Sequence, residues 1–150
     1  MKRILESGQF SNYREGVNLD SASMEVANLY KSYFGKTTVF ISHKHDDLED
    51  LSGLIGFLEK NYNVKAYIDS KDSSMPSVTS GVTASKIKER IRQCDKFILL
   101  ATDGAVESKW CNWELGYGDS QKFSSKDIAI LPLKRKGYSD SSYKGNEYMQ

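Results

Sequence analysis

The run from Ser108 to Gly118, SKWCNWELGYG, sets a single carboxylate, Glu114, beside two tryptophans on a stretch with the spacing of an amphipathic helix. Trp110 and Glu114 stand four apart, so on a helix they share one face, a turn apart. Trp113 and Tyr117 repeat that spacing one residue to the side and widen the face into an aromatic patch. A lone acid next to aromatic rings suits chemistry on a flat, cationic substrate group. Spacing alone is met at least as well by a core stripe of Trp110, Trp113 and Tyr117 with Glu114 as its solvated shoulder. A second, independent signal is needed to choose.

That signal lies in the elements around the run. From Thr37 onward, strand-like and helix-like segments alternate. TTVFIS (37–42) is β-branched and apolar, as a buried strand requires. Residues 46–60 carry Leu48, Leu51, Ile55 and Leu58 at helical spacing, with Asp46 or Asp47 as the cap. VKAYID (64–69) is a second strand, and the polar stretch 70–81, with Pro76 and Gly81, is a long loop. Residues 83–94 present Ile87, Ile91 and Cys94 on one helix face, KFILLAT (96–102) is a third strand, and IAILPLK (128–134) a fourth. Between the last two, the helix bearing Glu114 is expected to begin near Val106 or Glu107. Such alternation implies right-handed crossovers and a parallel sheet with helices on both faces, a flavodoxin-like three-layer α/β sandwich. Ligands in such sheets bind outside the carboxyl ends of the strands, which points to Ser42, His43 and Lys44, to Asp69 with the loop after it, and to Thr102 and Asp103.

Composition bounds the possibilities. The 150 residues are 39% hydrophobic and 27% charged, which fits one soluble globular domain with a sizeable core. The net charge is +1, from 21 basic and 20 acidic side chains mixed along the chain, so neither nucleic acid nor an anionic membrane is an expected partner. Cys94 and Cys111 form no CxxC pair and read as reduced, buried thiols of a cytoplasmic protein. No signal peptide or membrane span is evident. His43 and His45 lack a third ligand nearby, so no metal site is expected.

Residues 1–36 read as an N-terminal helical extension, its helix capped by Asp20 or Ser21, carrying Met24, Leu29, Tyr30 and Tyr33 on one side and ending at Gly35. Residues 37–150 form the main domain.

FISHKHDD after the first strand, YID with the long loop after the second, CDKFILLAT at the third and above all SKWCNWELG resemble a bacterial Toll/interleukin-1 receptor (TIR) domain of the NAD-cleaving type. The resemblance covers about residues 37–134, and its most specific part is the pair Trp110-x-x-x-Glu114. It implies that Glu114 is the catalytic residue for cleaving the nicotinamide–ribose bond of NAD, and that Ser42, His43, Lys44, Asp69 and the region of Met75 bind the substrate. NAD is then a substrate, and no cofactor is implied. The products would be nicotinamide with ADP-ribose or a cyclic ADP-ribose isomer. By the same resemblance the product would be an antiphage signal of the Thoeris kind, read by a separate effector, and copies of the domain would assemble so that the loop of one closes the site of the next.

The chemistry stands independently of the resemblance. An ordinary glycoside needs two carboxylates, one to protonate a poor leaving group. The pyridinium of NAD departs as neutral nicotinamide, so one carboxylate is enough, and Trp110 or Trp113 can stack on the cationic ring. Two other readings stay in view: a non-catalytic TIR module that works by association, and a different N-glycosidic enzyme on a similar sheet. A phospho-receiver would need its acceptor aspartate after the third strand, where Ala101, Thr102 and Asp103 stand, and would leave SKWCNWELG unexplained. A TIR domain also has a fifth strand and a closing helix, whereas KGYSDSSYKGNEYMQ follows Lys134; the expectation is a chain that continues past Gln150, or a sheet with an open edge.

Overall fold

The computed structural model describes residues 3–22, 35–69 and 81–145. Five parallel strands, β1 (Leu5–Glu6), β2 (Thr37–Ser42), β3 (Val64–Tyr67), β4 (Lys96–Ala101) and β5 (Ile128–Lys134), form one sheet in the order β1-β5-β4-β2-β3. The helices are α1 (Leu19–Ala22), α2 (Leu48–Asn61), α3 (Gly81–Gln93), α4 (Asp103–Glu107) and α5 (Lys109–Lys122). The doubly wound α/β sandwich expected from the alternation is present. The rest of the expected N-terminal helix, and the loop with Met75, lie outside the described residues.

Period-two alternation along the strands builds the two halves of the core. Phe40, Tyr67, Phe97, Leu99 and Ala101 face one way, against Ile87 and Ile91 of α3 and Cys111 of α5. Val39, Ile41, Ala66 and Leu100 face the other way, against Leu51, Leu54 and Ile55 of α2. Phe40 and Phe97 stack across β2 and β4 with centroids 5.8 Å apart, at the centre of the first face.

Taken without β1, the order is that of a flavodoxin-type sheet, and β1 occupies the place of its fifth strand. Leu5 pairs with Leu133 and Glu6 with Lys134, so the outer edge of β5 is covered there by a strand from the start of the chain. Two residues carry no periodic signal, which is why composition and spacing did not reveal this strand. The segment after β1 crosses α2. Ser7 Oγ and the Gly8 amide donate to the two carboxylate oxygens of Asp50, at 2.6 and 2.7 Å, and Phe10 sits 4.9 Å from Phe57 between ring centroids.

Both cysteines are buried. Burial pushes the Cys94 thiol up to about 12. Native protein at pH 8 should therefore react with iodoacetamide at Cys94 at least about 100-fold more slowly than a free thiol near pKa 8.5; peptide mapping of briefly labelled protein checks this, and rapid native labelling would show that the site opens.

Candidate active site

Glu114 reaches the carboxyl ends of the strands because of how its helix is held. Ser108 has extended backbone, φ −75° and ψ 121°, and its Oγ accepts the Cys111 amide at 3.3 Å. A serine in that geometry ends one helix and caps the next. The single helix expected from about residue 106 is therefore two, α4 and α5, joined at Ser108. Asn112 Nδ2 stitches the joint by donating to the carbonyls of Val106 and Ser108, each at 2.8 Å.

Close approach of α5 to the sheet depends on Gly118, one turn after Glu114. A Cβ there would lie 2.9 Å from Phe97 Cδ2 and 3.0 Å from Cγ. Glycine inside a helix is costly to helix formation, so its presence marks a packing need. Gly118→Ala should lift α5 from the sheet, destabilise the fold by about 1–3 kcal/mol and lower whatever activity Glu114 supports. A thermal midpoint and a rate measured on the same preparation test this. Unchanged values of both would show that Phe97 accommodates the methyl.

Glu114 is 1% exposed and Ser42, the last residue of β2, is also 1% exposed. Ser42 Oγ donates a short hydrogen bond to Glu114 Oε2. The acid is thus no solvated shoulder: it is buried at the tip of β2, which adjoins β4 where the strand order reverses. Ser42 lies two residues beyond Phe40 and so points to the same face of the sheet, the face on which α5 packs.

The remaining residues expected at the site are placed as follows. His43 is 3% exposed, with Nδ1 3.3 Å from the Ile41 carbonyl, and burial lowers its pKa while nearby Asp69 opposes that shift. The ring is therefore neutral near pH 7, and where Nδ1 carries the proton to Ile41, Nε2 is an acceptor. Asp69 Oδ2 is buried without a hydrogen-bond partner among the described residues. Lys44 is half-exposed, 4.0 Å from Asp46, and runs along Gly104, where a Cβ would come within 2.8 Å of its Cδ. Trp110 stacks on Trp113 at 4.8 Å and Trp113 on Tyr117 at 6.4 Å, all three partly buried. Lys88 of α3 lies over Trp113 and Tyr117, at 5.8 and 5.5 Å from the ring centroids. The Trp113 and Tyr117 rings therefore face α3, while Glu114 faces β2. Met75 falls outside the described residues.

Two supports were not evident from spacing. Asp47 occupies the N-cap position of α2 but makes no capping hydrogen bond; its carboxylate accepts from Thr102 Oγ1, and burial raises its pKa. Thr102 in turn caps α4 by accepting the Ala105 amide at 3.1 Å, so the turns after β2 and β4 are tied together. Tyr143, from the segment after β5, buries its ring in the same core and donates its hydroxyl to the Ala101 carbonyl at 2.5 Å. Among the described residues no group of three or more His, Cys, Asp or Glu side chains could hold a metal, and no helix is long and apolar enough to cross a membrane. A cleft of about 500 Å³ lies elsewhere, between the segment around Tyr13 and α2, and involves none of the residues above.

A doubly wound parallel sheet with a buried glutamate at its switch point, carried on a helix that reads W-x-x-x-E, is the arrangement that the resemblance to a TIR domain implied. Residues 39–148 match that family, and the chain belongs to it. Across 152 aligned positions it is 30% identical to a Bacillus cereus (strain MSX-D12) protein named "Probable 3' cyclic ADP-D-ribose synthase ThsB'". That similarity covers 99% of this chain and 73% of the relative.

Proposed function

We propose that this protein cleaves the nicotinamide–ribose bond of NAD, as a nucleosidase that releases nicotinamide together with ADP-ribose or a cyclic ADP-ribose isomer, and that Glu114 is the catalytic residue. The observation that carries this reading is the burial of one carboxylate, hydrogen-bonded by Ser42, at the strand tips of a TIR domain. The name of the Bacillus cereus relative, a cyclic ADP-ribose synthase, supports the product class and favours cyclisation over hydrolysis.

The chemistry asks little of the protein beyond charge and position. As the C–N bond breaks, the pyridinium becomes neutral nicotinamide and positive charge develops on the ribose. A carboxylate beside the anomeric carbon stabilises that charge, and more so where water is excluded. His43, with a ring nitrogen able to accept a hydrogen bond, together with Lys44 and Asp69, would supply polar groups for the ribose and the phosphates. Stacking of the nicotinamide on an indole would add about 0.5–2 kcal/mol; Trp110 suits this better than Trp113, which already has Lys88 above it. The nucleophile that replaces nicotinamide is water or another atom of the same nucleotide. A cyclic product would act as an antiphage signal for a separate effector, and assembly with other TIR copies would complete the site.

The test is incubation of concentrated protein with NAD, with nicotinamide release and the nucleotide product followed by chromatography. Release of nicotinamide with a cyclic isomer is the expected result. Intact NAD, with the protein assembled and at high concentration, would replace this reading with that of a non-catalytic module acting through TIR–TIR association.

A further inference from the structure

The family resemblance groups Ser42 with the substrate contacts, and in the structure its side chain is hydrogen-bonded to Glu114. Ser42 is 1% exposed, and its hydroxyl is engaged with Glu114 Oε2 across 72 residues of sequence. The proton of this hydroxyl is committed to Glu114. The hydroxyl has the geometry to fix a carboxylate. The end of β2 is rigid, because Ser42 pairs in register with Leu99 of β4 and the strand is buried from Val39 onward. Glu114, by contrast, is a long side chain with three rotatable bonds, and burial alone does not select its rotamer. A hydrogen bond from a fixed donor to a carboxylate is among the stronger kinds and orients the group.

We propose that Ser42 is a positioning residue for the reaction: its hydroxyl locks the Glu114 carboxylate in the orientation that the developing ribose charge requires, without touching the substrate. The inference rests on the reaction proposed above. It assigns to a strand-end serine the part that a second carboxylate or a histidine plays where a catalytic group needs an orienting neighbour.

The experiment compares Ser42→Ala and Ser42→Thr with the unaltered protein, measuring kcat and KM for NAD and the thermal unfolding midpoint of each. Removing the hydroxyl should lower kcat about 10- to 100-fold, the scale of a misplaced catalytic group, and leave KM within about twofold. Ser42→Thr keeps a hydroxyl at the same backbone position and should recover kcat to within about fivefold of the unaltered protein; it also keeps the test alive if Ser42→Ala does not fold. A rise in KM at constant kcat would make Ser42 a substrate contact and overturn the inference. So would an unchanged kcat in Ser42→Ala, or a folded Ser42→Thr as inactive as Ser42→Ala. Absence of nicotinamide release from the unaltered protein would instead overturn the reaction itself, and the role of Ser42 with it.

Discussion

Glu114→Gln should abolish nicotinamide release to within measurement, a loss of at least about 10³-fold, which corresponds to about 4 kcal/mol of transition-state stabilisation. The substitution keeps the shape of the side chain, and the Ser42 hydroxyl can donate to the amide oxygen as it does to the carboxylate. What disappears is the negative charge. In a mechanism that needs no general acid, that charge is the main contribution the protein makes at the anomeric carbon, so its removal should lower kcat and not merely raise KM. The unfolding midpoint should change little, because a buried amide is cheaper to desolvate than a buried carboxylate. A Glu114→Gln protein that retains a tenth of the activity would remove the single-carboxylate mechanism, whatever its product.

The second large effect concerns stability and lies on the opposite face of the sheet. The segment that follows β1 packs on α2 through two glycines. A Cβ at Gly56 would stand 1.9 Å from the Tyr13 carbonyl oxygen, and one at Gly53 would stand 2.6 Å from that of Phe10. These are backbone atoms and cannot rotate aside. Gly56→Ala must push the segment from Phe10 to Val17 off α2, loosening the contacts of Phe10 and Tyr13 with Phe57 and straining the link to β1. A loss of about 3 kcal/mol is expected, read as a fall of about 6–12 °C in the thermal midpoint. Limited proteolysis should cut first within residues 7–18. Glu114 packs on the other face, so kcat measured well below the midpoint should survive. A midpoint within 2 °C of the unaltered protein would show that the N-terminal segment does not contribute to the stability of the sheet.

The two effects separate the molecule into a reacting face and a supporting one, and they differ in how visible they are in the amino-acid order. Long apolar strands announce themselves: TTVFIS, KFILLA and IAILPLK are each read from composition to within a residue of their bounds, and the helix between residues 48 and 61 from its leucine and isoleucine spacing. From these the parallel sheet and its switch point follow, since crossover handedness leaves few alternatives. The tryptophan–glutamate spacing made Glu114 a candidate without deciding for it, and the resemblance to a TIR domain carried the choice.

Local sequence, however, carries no information about partners far along the chain. Spacing left open whether Glu114 was solvated or buried, and that was decided by Ser42, 72 positions away, together with Gly118 bringing α5 down onto Phe97. The same holds for β1, whose two residues have no pattern of their own and become a strand only because β5 presents an unpaired edge. Asp47 has the residue type and position of a helix cap, yet its carboxylate serves Thr102, because the fold brings the turns after two strands together. Periodicity fixes which way each side chain faces within its element, since that depends on backbone geometry alone. What it faces depends on which elements pack together, and that is set by burial and hydrogen bonding across the whole chain.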